Sequence, residues 1–156
     1  MILCLSNLEE SMDNDGPQEQ LIAKSEISKK NRRYLSLAKK MAECSTYGNF
    51  RHGAVLVRGG AIINFGINSE KYSSVGAKYR PEEKGVSTYH AEIKAILNVP
   101  RAQTKGAVMY VARASKGKKE DRMSKPCRMC HAVMKERGIS QVFYSVDGET
   151  VGTYKL

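Results

Sequence analysis

Gly53-Ala54-Val55-Leu56-Val57-Arg58-Gly59-Gly60-Ala61-Ile62-Ile63-Asn64-Phe65-Gly66 reads as two short strands folded back on one another. Val and Ile recur in both arms, at Gly53 to Arg58 and Ala61 to Gly66, and Gly59-Gly60 accepts the positive φ angles a tight hairpin turn requires. Upstream, from Lys30 to Ser45, the apolar residues Tyr34, Leu37, Ala38, Met41 and Ala42 recur every three or four positions, the stripe of an amphipathic helix. Downstream, Ile67 to Thr88 has the Ser, Lys, Gly and Pro content of a long loop. From Tyr89 to Val99 the pattern is helical and stops at Pro100, whose ring breaks the backbone ladder. Ala107 to Ala112 reads as a buried strand, Arg113 to Lys125 as a basic loop, and Cys127 to Arg137 as a helix capped by Gly138. Gln141 to Val146 is a further strand; Asp147-Gly148 then turns the chain, and the alternating β-branched residues beyond it predict that 149–155 return antiparallel. This order, with no internal repeat, predicts an α/β chain: a three-layer α/β/α sandwich on a mixed sheet with a C-terminal antiparallel hairpin.

The size agrees. The chain has 156 residues, 41% of them hydrophobic and 27% charged, enough apolar material for one core and too little for two. No apolar run approaches the roughly 20 residues needed to span a bilayer, and Met1 to Leu5 is shorter than the roughly 7 to 15 residues of a signal-peptide core. A soluble, cytoplasmic protein with no membrane partner is therefore expected. Residues 1–28 are acidic and interrupted by Gly16 and Pro17, which predicts a loose N-terminal segment before a domain at 29–156. Six acids and two bases fall within the first 29 residues, leaving 24 bases against ten acids, a body of +14. Such a surface favours an anionic partner, a nucleotide phosphate or a polynucleotide, or serves solubility alone.

Four cysteines are too sparse for a disulfide scaffold, and in a reducing compartment the spacing of Cys127 and Cys130 points to metal or redox chemistry. His90-Ala91-Glu92 opens one expected helix and Pro126-Cys127-Arg128-Met129-Cys130 opens another. On these motifs, in this order, the chain from about Tyr47 to Tyr144 resembles the cytidine and deoxycytidylate deaminase superfamily of zinc enzymes. A catalytic zinc takes three protein ligands and keeps one position open, where it lowers the pKa of water from 15.7 towards about 7. His90, Cys127 and Cys130 are the ligands this implies; the two thiols stand one helical turn apart at a helix start, where the dipole favours thiolate. Glu92, two residues past His90, is the general acid/base that the resemblance implies. Two other readings of the residues stand beside this one. Cys127 and Cys130 could form a dithiol redox pair, or a structural zinc site closed by Cys44, His52 or His131.

The resemblance also implies substrate contacts. The segment from Tyr47 to Leu56 resembles the approach to the first strand in cytidine deaminases, where an aromatic residue flanks the base; Phe50 is either that residue or a core plug under the first helix. Gly66-Ile67-Asn68-Ser69-Glu70 resembles the G-x-N-x-E stretch that holds the sugar, implying Asn68 and Glu70, and Ala91 is implied at the substrate. Lys71, Lys78 and Arg80, near Asn68 in sequence, are candidates for a phosphate or nucleic-acid contact. The nucleoside enzymes of the superfamily usually carry Cys where this chain has His90, whereas its deoxycytidylate, tRNA adenosine and polynucleotide branches carry His. Past Ser145 the sequence suits a hairpin rather than the helix and parallel fifth strand of the tRNA adenosine branch. The expected function is zinc-dependent hydrolytic deamination of cytosine in a free (deoxy)cytidine nucleoside or (deoxy)cytidylate, giving the uracil product and ammonia. The alternatives are a deaminase of single-stranded DNA or RNA, and a zinc-stabilised nucleic-acid-binding module. A homo-oligomer working in pyrimidine metabolism is expected by resemblance.

Overall fold

A computed structural model describes residues 18–80, 82 and 87–156. Its elements are β1 (Gln20–Ala23), α1 (Lys29–Glu43), β2 (Arg51–Arg58), β3 (Ala61–Ile67), β4 (Ser69–Tyr72), α2 (Ser74–Tyr79) and β5 (Thr88–Tyr89). There follow α3 (Ala91–Ile96), α4 (Arg101–Thr104), β6 (Val108–Ser115), β7 (Lys118–Arg122), α5 (Arg128–Glu136), β8 (Gln141–Ser145) and β9 (Thr150–Lys155). The main sheet runs β1-β9-β8-β6-β2-β3, with β7 alongside β6, and β4 and β5 form a separate ribbon. Strands β6 and β8 are parallel, bridged in sequence by α5, and the other pairings are antiparallel. Among the described residues no helix is long and apolar enough to cross a membrane.

The layers follow from the two-residue period of the strands. Val55 and Val57 of β2, Tyr110 and Ala112 of β6, Phe143 of β8 and Val151 of β9 pack with Tyr34, Leu35 and Ala38 of α1. Their alternates, Ala54, Leu56, Met109, Val111, Val142 and Tyr144, pack with Ile93 and Ile96 of α3 and Met129, Val133 and Met134 of α5. Helices therefore cover both faces, and the three-layer α/β/α sandwich is the fold. Ser28 caps α1 by accepting from the Asn31 backbone N–H at 3.1 Å. The hairpin turns at Gly59 and Gly60 with φ of 58° and 81°. Strand β9 pairs antiparallel with β8, from Gln141 opposite Lys155 to Ser145 opposite Val151.

Three stretches differ from the sequence reading. Ile67 to Thr88 is not bare loop but holds β4, α2 and β5; six residues of α2 are too few to show a helical period, and its cap is Ser73 accepting from Gly76 N–H at 3.1 Å. Arg113 to Lys125 is largely a hairpin, in which β6 runs on to Ser115 and β7 returns after Gly117 at φ 73°; its charged residues carry no apolar alternation. Residues 18–28 are not all loose, since β1 pairs with β9 as a sheet edge, while 1–17 lie outside the described residues. Helix α3 is also shorter than expected, ending before Asn98, which turns left-handed at φ 62°.

Two features of this frame hold the functional elements. Gly66 of β3 lies directly under α3: a Cβ there would fall 2.5 Å from the Ala95 backbone nitrogen and clash with the Ala91 carbonyl oxygen. On the other face Asp121 of β7 accepts from Lys24 at 2.8 Å and Lys39 of α1 at 2.7 Å. Gly66→Ala must push α3 off the sheet, so a loss of about 1 to 3 kcal/mol in thermal or denaturant unfolding is expected, with weakened zinc retention. Burial acts to raise the Asp121 carboxyl, but the two lysine ammoniums outweigh it and the net shift is downward from 3.8. Because the folded value is depressed, this stabilisation is fully present above the unfolded value and is lost as pH falls from there through the lower folded one. Asp121→Asn is therefore expected to lower Tm at pH 7 and to converge on the parent protein in acid.

Candidate active site

Helices α3 and α5 start side by side beneath the sheet, and the chemistry gathers at their first turns. His90 is the N-cap of α3, in extended backbone with φ of −83° and ψ of 155°, and its ring makes no capping hydrogen bond. It faces α5 instead. Its Nδ1 lies 3.5 Å from the Cys127 sulfur at the α5 N-cap and 3.4 Å from the Cys130 sulfur one turn on. All three donor atoms lie within 4.8 Å of one another. Tetrahedral zinc, with bonds of about 2.3 Å to sulfur and 2.0 to 2.1 Å to nitrogen, sets a nitrogen–sulfur edge of roughly 3.6 Å, so the observed spacing fits the ion. The protonation does too. The Cys127 thiol is pulled down to about 3 by hydrogen bonding from the Cys130 thiol, against burial and with help from the His90 ring. The same contact with Cys127, and burial, push Cys130 well up. His90 is raised chiefly by its hydrogen bond to Cys127. A cation held by these three donors would displace the shared proton and bind both sulfurs as thiolates.

Glu92 lies in the first turn of α3, 4% exposed, and burial pushes its carboxyl above the ordinary range. Residues 28–146 match the model of the cytidine and deoxycytidylate deaminase zinc-binding region. The chain belongs to that family. Among solved structures it is similar to RibD from Acinetobacter baumannii, with 20% identity over 74% of this chain and a TM-score of 0.47. It spans 28% of that RibD chain. It is also similar to the dCMP deaminase from the cyanophage S-TIM5 in apo form, with 17% identity over 73% of this chain and 80% of that one, at a TM-score of 0.47. No curated protein matches it. The family's zinc-binding region and the His90, Cys127 and Cys130 donors together make zinc the metal of this deaminase-family chain.

A cavity of about 340 Å³ opens on this centre. His90, Ala91, Glu92 and Cys127 line it from the two helix starts; Tyr47, Phe50, His52 and Asn68 line it from the approach to β2 and the end of β3; Thr88, Tyr89 and Lys125 complete it. Phe50 is 57% exposed, with the Arg113 guanidinium 4.5 Å from its ring centroid, and so is not a plug under α1. Asn68 is buried and engaged on both ends of its amide. Its Oδ1 accepts from Ser45 Oγ at 2.7 Å and from the His52 backbone N–H at 2.9 Å, and its Nδ2 donates to the Phe50 carbonyl at 2.6 Å. Asn68 thus holds the segment that presents Phe50 and His52, with one amide hydrogen left over. His52 Nδ1 lies 3.2 Å from the Phe50 carbonyl, which can only accept, so this nitrogen carries the proton.

The remaining expected contacts lie elsewhere. Glu70 and Lys71 are exposed on β4 and do not line the cavity, because the β4–β5 ribbon carries them outward. Lys78 is exposed as well, 3.8 Å from Glu136 of α5. Arg80 does not line the cavity, although its charge acts on His90. No fourth ligand closes the metal site among the described residues: Cys44 is exposed and bonded to the Lys40 carbonyl, and the His131 ring packs 5.6 Å from that of Tyr154. Sequence reasoning missed Tyr47, Thr88, Tyr89, Arg113 and Lys125. Only Lys125 carried a signal, its place directly before Pro126.

Elemental analysis of the purified protein is expected to find one zinc per chain, and Cys130→Ser to reduce it severalfold or more; full occupancy in that variant would remove Cys130 from the ligand set. Chelation should leave Cys127, held as thiolate, alkylating faster at pH 7 than exposed Cys44, and added zinc should protect it.

Proposed function

We propose that this protein hydrolytically deaminates the cytosine base of a free (deoxy)cytidine nucleoside or (deoxy)cytidylate, releasing ammonia and leaving uracil. The observation that carries the reading is Glu92: a buried carboxyl two residues past His90 and in contact with Cys130, opening on a cavity of single-ligand size. Zinc, when bound, supplies a Lewis acid and a nucleophilic water at neutral pH. The protein's part is positioning and proton movement. Glu92 takes a proton from the attacking water, delivers it to the ring nitrogen, and serves the amine as it leaves. Phe50 offers an exposed ring face to the base, Ala91 gives the base room beside Glu92, and Asn68 fixes the segment that carries Phe50. A raised carboxyl suits this role, since a group that shuttles a proton works best with a pKa nearer the operating pH.

A second reading, a deaminase of single-stranded DNA or RNA, is favoured by one feature. Phe50 carries Arg113 on its ring and stands at the root of the β6–β7 hairpin, whose turn includes Lys116, the pairing of aromatic face and cation that stacks exposed bases. Turnover of cytidine, deoxycytidine, their monophosphates and a cytosine-containing oligonucleotide, followed by ammonia release at two salt concentrations, separates the readings. Deamination of the oligonucleotide alone, with affinity falling steeply as salt rises, would establish the second. Glu92→Gln preserves shape while removing the titrating oxygen. It is expected to keep the fold and the zinc and to lower kcat by 10²-fold or more. A variant with the parent rate would take Glu92 out of the mechanism.

A further inference from the structure

Lys125 is the cavity-lining cation, and the structure gives it an anionic partner. Its Nζ lies 2.7 Å from Glu19 Oε2, and both side chains reach solvent, the lysine at 50% and the glutamate at 33% exposure. Glu19 comes from far along the chain, directly before the edge strand β1, whose four residues are largely exposed. A solvent-exposed pair held by one short edge strand is readily exchanged for another anion. On the other side Lys125 is joined through Pro126 to Cys127, so its backbone is fixed by the metal turn while its four-carbon stem can sweep the cavity mouth. An ammonium tethered to the metal turn, open to solvent and already holding a carboxylate oxygen is a receptor for one terminal anionic group on a molecule whose other end sits at Glu92.

We propose that Lys125 binds the 5′-phosphate of a free cytosine nucleotide, and that Glu19 occupies the phosphate position until substrate displaces it. This rests on the deaminase reading above and narrows its substrate class to nucleoside monophosphates. It also replaces the cations taken from the sequence, since Lys71, Lys78 and Arg80 do not line the cavity. Lys125 is a binding residue here, with no part in the chemistry at Glu92, and Glu19 acts as its competitor.

The test is steady-state kinetics of the zinc-loaded full chain on deoxycytidine monophosphate and deoxycytidine, for the parent, Lys125→Gln, Lys125→Arg and Glu19→Gln. The parent should prefer the monophosphate. Lys125→Gln should lower that preference by tenfold or more, the loss expected of one charge-assisted hydrogen bond, and should do so through KM rather than kcat. Lys125→Arg should retain most of the preference, and Glu19→Gln should lower KM for the monophosphate severalfold. An unchanged preference in Lys125→Gln overturns the proposal, as does an equal loss on both substrates, which would make Lys125 a structural residue. Preference for an oligonucleotide over the monophosphate in the parent also overturns it. If Lys125→Gln fails to fold, the Glu19→Gln shift decides. If the parent turns over neither substrate, the deaminase reading falls by itself; titration calorimetry with deoxyuridine monophosphate then decides the phosphate site, and equal affinity in parent and Lys125→Gln overturns it.

Discussion

Everything at this site depends on bringing one imidazole nitrogen within 3.5 Å of two sulfurs that belong to a different helix. No local interaction achieves this, because His90 and Cys127 are separated by 37 residues. It is achieved by where the helices begin. Helix α3 is pressed onto β3 at Gly66, where a side chain would stand in the way, and α5 lies over the same face between the parallel strands β6 and β8. Both first turns thereby reach one end of the sheet, and Glu92 follows from the same placement, two residues into α3. The sheet's central strands, buried on both faces, make this placement rigid: Ala54, Val55, Leu56 and Val57 are all buried, so neither helical layer can slide without emptying the other side.

What was legible in the sequence follows from which interactions are periodic or chemically rare. The amphipathic stripe of α1, the Gly59-Gly60 turn and the alternation of β9 announced themselves because each repeats a spacing that burial demands. The metal donors did so because a His-x-Glu and a Cys-x-x-Cys at successive helix starts have few other uses. The ribbon and short helix at 69–89 and the hairpin at 108–122 were hidden for the opposite reason. Helix α2 is held by the Ser73 cap and by Gly76 fitting against Ser87 and Met129, and neither contact has a period. The expected substrate contacts, by resemblance or by charge near Asn68, divided on the same line. Phe50, Asn68 and Ala91, next to long strands or the metal helix, line the cavity; Glu70, Lys71 and Lys78, on short irregular elements, do not.

The charge balance shows how composition can mislead while being correct. A body of +14 suggested a surface waiting for an anion, yet some of that charge is already employed within the fold. Lys39 closes on Asp121, joined there by Lys24 of the N-terminal segment, and Lys94 stands 4.2 Å from the centroid of the Tyr89 ring. Arg137 donates to the Ile96 carbonyl at 3.4 Å, and also to that of Val99, fixing the C-terminal end of α3. The cations that bear on the cavity are few and local, Lys125 and Arg113, with Arg80 acting through its charge on His90. Net charge therefore speaks to long-range attraction of anions rather than to any one contact at the cavity.

Glu92 makes the final link between fold and chemistry. It lies between Ala91 and Ile93, both members of the apolar cluster under the sheet. Burial raises its pKa, so the fold works against the ionised form and loses stability as pH rises from the unfolded value through the folded one. A sequence optimised for the core alone would not retain such a group. Its place at the cavity, two residues past His90, is where the proposed deamination gives that cost a use: the desolvation that disfavours the ionised carboxylate is what a group meant to take a proton and give it back requires.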